Sequence, residues 1–300
     1  MNFSNEEVSW EKFLQRVKSM SSQEWVFRGQ SYKEPKGQSY EEPIMSSLER
    51  ALNSYGIYLS KAPEIEKWMI RDFKRKYDGI DLEIVSEDTF YCLSLMQHYG
   101  CPTRLLDFTY SPYIAAFFAV ENMSLEKKKE RNAFVYCFNH EWINNSAKRN
   151  IKDYYLFNMR FDDKKMTDKS FIPLYMGKKR KCFILADNPL QLHRRLIIQR
   201  GLFVIQGDIS SSMMVNISSM KGWENPKNII KFRIRINNGD QLGKVCEDLR
   251  LMNVTHDSLF PGLDGFSKSL KQNLYLYQKQ RKVKANINPF MKRMTIHKRG

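Results

Sequence analysis

The sequence predicts an α+β fold, a single mixed domain with a central, mostly antiparallel sheet flanked by helices. Three observations lead there. Strand-like and helix-like segments come in mixed order, without the regular alternation that builds a parallel sheet. Of the 300 residues, 42% are hydrophobic, which provides for one large core or two small ones. Ile229–Ile236 alternates Ile and Phe with Lys231, Arg233 and Arg235, the pattern of a half-exposed strand.

The elements follow in order. Val8, Phe13, Leu14 and Val17 recur at helical spacing, so Glu6–Met20 is expected to be a short amphipathic helix. Glu24–Gly29, with Trp25-Val26-Phe27 at its centre, looks like a strand ending at glycine. Gly29–Pro35 (GQSYKEP) is then repeated as Gly37–Pro43 (GQSYEEP), and the Gly, Ser and Pro content predicts a loop. Ser46–Tyr58 and Pro63–Tyr77 are predicted helices, the second opening on Glu64 and Glu66. Phe90–His98 is a helix ending at Gly100. Cys101-Pro102 interrupts, and Arg104–Phe108 is a short buried strand. Ser111-Pro112 opens a buried helix, with serine as N-cap and proline in the first turn. Asn132–Phe138 is a strand, while Asn139–Lys181 is polar, unassigned and treated as an insertion. Leu196–Ile198 and Leu202–Ile205 are strands, or one strand bent at Gly201. Leu242–Met252 is a helix, and Leu259–Leu274 holds a Pro-Gly turn and a last helix.

The formal net charge is +16. From Lys279 to Gly300 the chain carries eight Lys or Arg and no acid, and Lys178–Lys181 is a second basic run. Such clusters attract polyanions through counterion release, so a nucleic acid or an acidic protein is the expected partner; a solvated tail is the bland alternative. The five cysteines are scattered without metal-ligand spacing, and the five histidines do not pair with them, so no metal is expected. No apolar run is long enough to span a membrane, and the acidic start is unlike a signal peptide. The expectation is a cytoplasmic chain with reduced thiols.

Chemistry-bearing residues concentrate in two places. Arg28 follows an apolar strand and precedes Gly29, so its guanidinium fork suits a phosphate or carboxylate while the glycine admits a ligand or another backbone. Its structural alternative is a pair with a core carboxylate such as Asp107. In QHYGCPTRLLDFTYS, the polar groups Gln97, His98, Tyr99, Thr103, Arg104, Asp107, Thr109 and Ser111 sit among apolar ones. Buried polar groups need partners, so this cluster is a site or a structural network. Dinucleotide fingerprints, P-loops, serine elbows and zinc-deaminase signatures are missing from the sequence.

These residues resemble the FRG domain family, named for its Phe/Tyr-Arg-Gly motif. Phe27-Arg28-Gly29-Gln30 fits the signature, followed by Gln97–Gly100, then Pro102–Asp107 with Thr109, Ser111 and Pro112. Arg195, Gln199, Gly201 and Phe203 fit a fourth block, and Leu259-Phe260-Pro261 with Leu263-Asp264-Gly265 a fifth. The resemblance implies a lead-in over 1–23, the domain over 24–275 with the insertion at about 139–181, and a basic tail over 276–300. The first repeat copy carries the motif; the second has Lys36 in place of the arginine and is a spacer.

A second, weaker resemblance is to ADP-ribosyltransferases. Arg28 is similar to their strand-borne arginine, Thr109-Tyr110-Ser111 with Phe118-Ala119 to their Ser-Thr-Ser block, and Gln199-Arg200-Gly201 to their last block in position. It implies an NAD-like nucleotide as substrate, with no resident cofactor. Arg28, Gln199 and His98 would take catalytic places, and Gln30, Gln97, Tyr99, Thr103, Arg104, Asp107, Thr109 and Ser111 would line the substrate pocket. Where that chemistry uses a glutamate this chain has Gln199, which supplies no negative charge. Two other classes stand beside this one. One is a nucleic-acid-binding or nuclease-like toxin or antiviral-defence effector, for which Tyr275–Lys284 offers aromatics among cations. The other is a non-catalytic interaction module.

Overall fold

The structure, a computed structural model, describes residues 3–20, 24–31, 43–123, 131–151, 168–263 and 265–270. In chain order the elements are β1 (Ser4–Val8), α1 (Trp10–Lys18), β2 (Trp25–Ser31), α2 (Ser47–Ser54), α3 (Ala62–Lys76), α4 (Leu82–Glu87), α5 (Thr89–His98), β3 (Leu105–Thr109), α6 (Pro112–Val120), β4 (Arg131–Asn139), α7 (His140–Ile151), α8 (Asp168–Phe171, running into a π-turn at Ile172–Met176), β5 (Ile184–Asp187), α9 (Arg194–Ile198), β6 (Gly201–Gln206), α10 (Met213–Ser218), β7 (Ile229–Ile236), α11 (Gly239–Leu251) and α12 (His256–Leu259). The strands form one open seven-stranded sheet in the order β1-β7-β4-β2-β3-β6-β5. Only β1 and β7 run parallel; every other pair is antiparallel. This is the α+β architecture that the mixed element order predicts.

Local chemistry explains most helix starts. Ser46 Oγ accepts from Glu49 N (3.1 Å) at α2, and Asp88 Oδ1 accepts from Tyr91 N (2.8 Å) at α5. Ser111 caps α6 with Pro112 in its first turn, as the sequence predicts. Gly100, which follows α5, has φ of +84°, a conformation that favours glycine.

Alternation along β2 assigns its residues to two cores. Val26 joins a core with Phe90, Phe108, Phe138, Phe183 and Phe203. Trp25 and Phe27 join another with Phe13, Ala115, Ala119 and Phe232. Each fully buried phenylalanine contributes about 1.5–3 kcal/mol by leaving water.

Four expectations need correction. Glu6–Val8 is not helical: the chain runs as a parallel edge strand beside β7, from Ser4 opposite Ile230 to Val8 opposite Ile234, and the helix starts only at Trp10. Leu196–Ile198 is not a strand but the end of the short helix α9, capped by His193. Gly29–Ser31, read as loop, completes β2 and pairs with Val135, Phe134 and Ala133. β7 is not half-exposed: Lys231 is 1% exposed, its ammonium 4.4 Å from the Phe134 ring centre and 5.7 Å from that of Tyr136. Burial, then Arg233, pushes the Lys231 pKa down to about 8. The polar stretch after Asn139 also contains core: Trp142, Ile143, Ala147, Phe171 and Tyr175 are buried. The second repeat copy (apart from Pro43) and the basic end lie outside the described residues.

One ion pair fastens α3 to the sheet. Arg104 and Glu66 are 1% and 0% exposed, and the guanidinium binds the carboxylate through Nε (2.8 Å) and Nη2. Arg104 Nη1 also donates to the carbonyls of Tyr175 (3.0 Å) and Gln206 (3.4 Å). Removing one partner leaves a buried charge uncompensated. Glu66→Ala is therefore expected to destabilise the fold by ~3–5 kcal/mol in urea unfolding. The double variant Glu66→Leu/Arg104→Met is expected to lose less than Glu66→Ala alone; a larger loss in the double variant would contradict a charge-driven effect.

Candidate functional site

β2 and β3 are central neighbours in the sheet, yet they pair at one position, Phe27 opposite Thr109. β2 is laddered to β4 from Trp25 to Ser31, and β3 to β6 from Leu105 to Thr109. The two ladders thus meet at a single residue pair, and beyond it the β2–β3 edge is left open, without ladder bonds. Arg28 stands at that opening. Its Nη1 donates to the backbone carbonyl of Asp107 (2.8 Å), a solvent-facing bond across the gap. The arginine meets the main chain of Asp107, whose carboxylate is exposed.

Gly29 serves the other face. A Cβ there would lie 1.8 Å from Ala115 O and 2.7 Å from Ala119 N. The missing side chain lets the backbone of α6 lie directly on β2, so the close approach is to protein. Phe27, Arg28 and Gly29 therefore divide three tasks among core, opening and helix packing.

Thr109, Ser111 and Gln199 gather at this junction, whereas Thr103, Gln97 and Arg104 sit at the opposite end of β3. Thr109 Oγ1 donates to Gln199 O (2.7 Å) and accepts from Ser111 N (3.0 Å). Ser111 Oγ accepts from Ile114 N (3.4 Å). Gln199 Nε2 donates to Leu259 O (3.2 Å). Tyr110 N donates to Arg200 O (3.0 Å), which helps hold Arg200 at φ +46°, a strained value for a side-chain-bearing residue. Thr103 Oγ1 donates to Gln97 Oε1, and Thr103 N donates to Ser47 Oγ (2.9 Å). Arg104 is enclosed by its protein acceptors. Thr109, Ser111 and Gln199 thus frame the junction, and Thr103, Gln97 and Arg104 brace the start of β3. Arg28, Gln30, His98, Tyr99 and Asp107 keep partial or full exposure.

Residues 23–128 match the FRG domain. That stretch, about a third of the chain, is similar to the FRG domain. No curated protein and no solved structure matches the chain. The matched stretch contains the Phe27-Arg28-Gly29 signature, the Gln97–Gly100 block and the Pro102–Pro112 block. The fourth and fifth blocks lie beyond it. The structure ties them to the matched stretch through the Thr109–Gln199 and Gln199–Leu259 bonds.

Folding brings His193, Glu121 and His256, which no sequence pattern marks, beside the block residues His98 and Arg195. The His98 ring lies 4.8 Å from that of His193, centre to centre. Burial and then Arg195 hold His98 below its usual range. Burial, then His98 and Arg195, push His193 down to about 4, while Asp107 opposes the shift. Arg195 packs 4.5 Å from the centre of the Phe260 ring. At the C-cap of α6, burial raises the Glu121 carboxyl against the pull of Lys268 and Arg195. His256 Nε2 approaches Glu121 Oε1 at 3.6 Å, within ion-pair range. Two neutral-leaning imidazoles and a carboxylate therefore share the field of Arg195, beside the FRG arginine's partner Asp107. Such a set places neutral ring nitrogens, each able to donate or accept a hydrogen bond, beside the fixed charge of Arg195.

His193 Nδ1 accepts from Leu196 N (3.3 Å) and so caps α9. Protonation of Nδ1 removes that acceptor. The folded pKa lies below the unfolded value, so the unfolded chain binds the proton first. Stability from the neutral ring is complete above about pH 6.5 and is lost as pH falls toward about 4. His193→Asn keeps a capping oxygen but does not titrate. Between pH 6.5 and about 4 the wild-type melting temperature is expected to fall more steeply than the variant's. Parallel curves would contradict this role.

Proposed function

We propose that the FRG domain binds an NAD-like nucleotide at the opening between β2 and β3, with Arg28 as the phosphate anchor. The observation that carries this reading is the single-pair junction of the two ladders, which leaves Arg28 bridging a gap where a backbone ladder would otherwise close. A guanidinium held by a main-chain carbonyl keeps a fixed orientation, and its planar fork matches phosphate oxygens. Arg195 adds a second positive charge near His98 and His193. His98, Tyr99, Gln30 and Asp107 line the approach in this reading; Thr109, Ser111 and Gln199 act one step behind by holding β3 and the turn before β6.

Nucleotide binding is favoured over ADP-ribosyl transfer. At Gln199 the side-chain amide donates to Leu259 O and brings no negative charge to stabilise an oxocarbenium-like centre. The non-catalytic reading accounts for Arg104 and Thr103, whose partners are all protein, but not for the opening at Arg28.

Melting curves with NAD, ADP-ribose, ATP and AMP test the proposal. A ligand at about 100 times its Kd adds about 2.7 kcal/mol of stability, a shift of several degrees. Wild type is expected to show that shift with at least one of the four. Arg28→Ala and Arg28→Lys are expected to lose it while melting near the unliganded wild type, because lysine keeps the charge but not the fork. An equal shift in Arg28→Ala, or no shift in wild type, would overturn the reading.

A further inference from the structure

The helix that carries Glu66 inward carries a basic stripe outward. Lys67, Arg71, Lys74 and Arg75 fall at spacings that place them on one face of α3, over about 12 Å of helix axis. They border a groove of about 490 Å³ whose apolar floor is Ile70, Ile172 and Met176. Its size suits a nucleotide-scale ligand. Lys74 donates to Ser86 O (2.9 Å), and Arg71 lies 3.7 Å from its own neighbour Asp72. The nearby carboxylate of Asp168 accepts from Thr89 N (2.7 Å) and Thr89 Oγ1 (3.0 Å). Beside the stripe, Trp68 is 53% exposed although it is one of the largest apolar side chains in the protein. The far wall, at Met176, leads directly into Lys178, Lys179 and Arg180, all exposed.

We propose that this groove binds single-stranded nucleic acid. Phosphates meet Lys67, Arg71 and Arg75 and continue along Lys178–Arg180. Bases in the groove lie against the apolar floor, and those beyond the stripe lie against Trp68 on its other side. The combination selects the occupant: a cationic track alone suits any polyanion, but an exposed indole and an apolar floor reward a polymer that carries flat, unpaired bases. An acidic peptide has no use for the floor, and a duplex keeps its bases stacked away from it. The net charge of +16 adds long-range attraction. This site uses none of the residues assigned to the nucleotide opening, so either can fail without the other.

The test is fluorescence anisotropy of the full chain with labelled oligo(U) and oligo(dT) of about 20 nucleotides, titrated with salt. Binding is expected for at least one, and the tighter of the two identifies RNA or DNA. Lys67→Glu/Arg71→Glu/Arg75→Glu is expected to weaken it at least about tenfold and to lower the salt slope by about 2, three phosphates' worth for a single strand. Trp68→Ala is expected to weaken binding by about fivefold or more with the salt slope unchanged. The neutral variant Lys67→Gln/Arg71→Gln/Arg75→Gln, which leaves the buried face of α3 intact, is expected to follow the same direction with wild-type melting. Four results would overturn the proposal: no binding by wild type, wild-type affinity and slope in both triple variants, equal affinity for a duplex, or displacement by polyglutamate as effective as by unlabelled strand.

Discussion

The buried Arg104–Glu66 pair is the constraint on which the other features rest. Two charges are removed from water, so every donor of the guanidinium must find an acceptor, and each acceptor comes from a different element. Glu66 belongs to α3, Tyr175 to the π-turn after α8, and Gln206 to the end of β6, while Arg104 leads into β3. A shift of any one of them would leave a buried polar group unmatched. The pair therefore sets where α3 lies and which face it turns to solvent. It also holds the start of β3, five residues before the junction with β2. Both candidate surfaces, the opening at Arg28 and the groove along α3, follow from that placement.

Two arginines illustrate what a sequence can and cannot say. Arg28 and Arg104 both stand in short apolar contexts beside a strand, and composition does not separate them. The fold does. Arg104 is enclosed with a carboxylate from α3, whereas Arg28 stands where the sheet divides. The same holds for Gly29. The sequence allows a ligand or a backbone to approach it, and the nearest atoms belong to Ala115 and Ala119 of α6.

Elements with self-contained signals were legible. Ser111-Pro112 announces α6, Phe90–Gly100 announces α5 and its end, and the apolar runs of β2, β3, β4 and β7 stand out. Elements defined by distant partners were not. Ser4–Val8 is an acidic strand with almost no apolar signal, and it exists because Ile230–Ile234 lies beside it. Arg194–Ile198 has the β-branched content of a strand but is wound into a turn of helix by the His193 cap and the left-handed Arg200. Half of the candidate site showed the same limit. Polar residues embedded in apolar sequence marked Arg28, His98 and Asp107. Arg195 stood out only as part of a motif block, His193, Glu121 and His256 not at all, and only the packing of α9 and α12 near α6 brings them together.

Amide hydrogen exchange on the full chain, with and without saturating NAD, tests the central claim most directly, because it reports where a ligand acts as well as whether it binds. The account predicts added protection at Arg28–Ser31, around Asp107 and across His193–Arg200, with α3 unchanged. Protection confined to α3, or none at the β2–β3 opening, would contradict it.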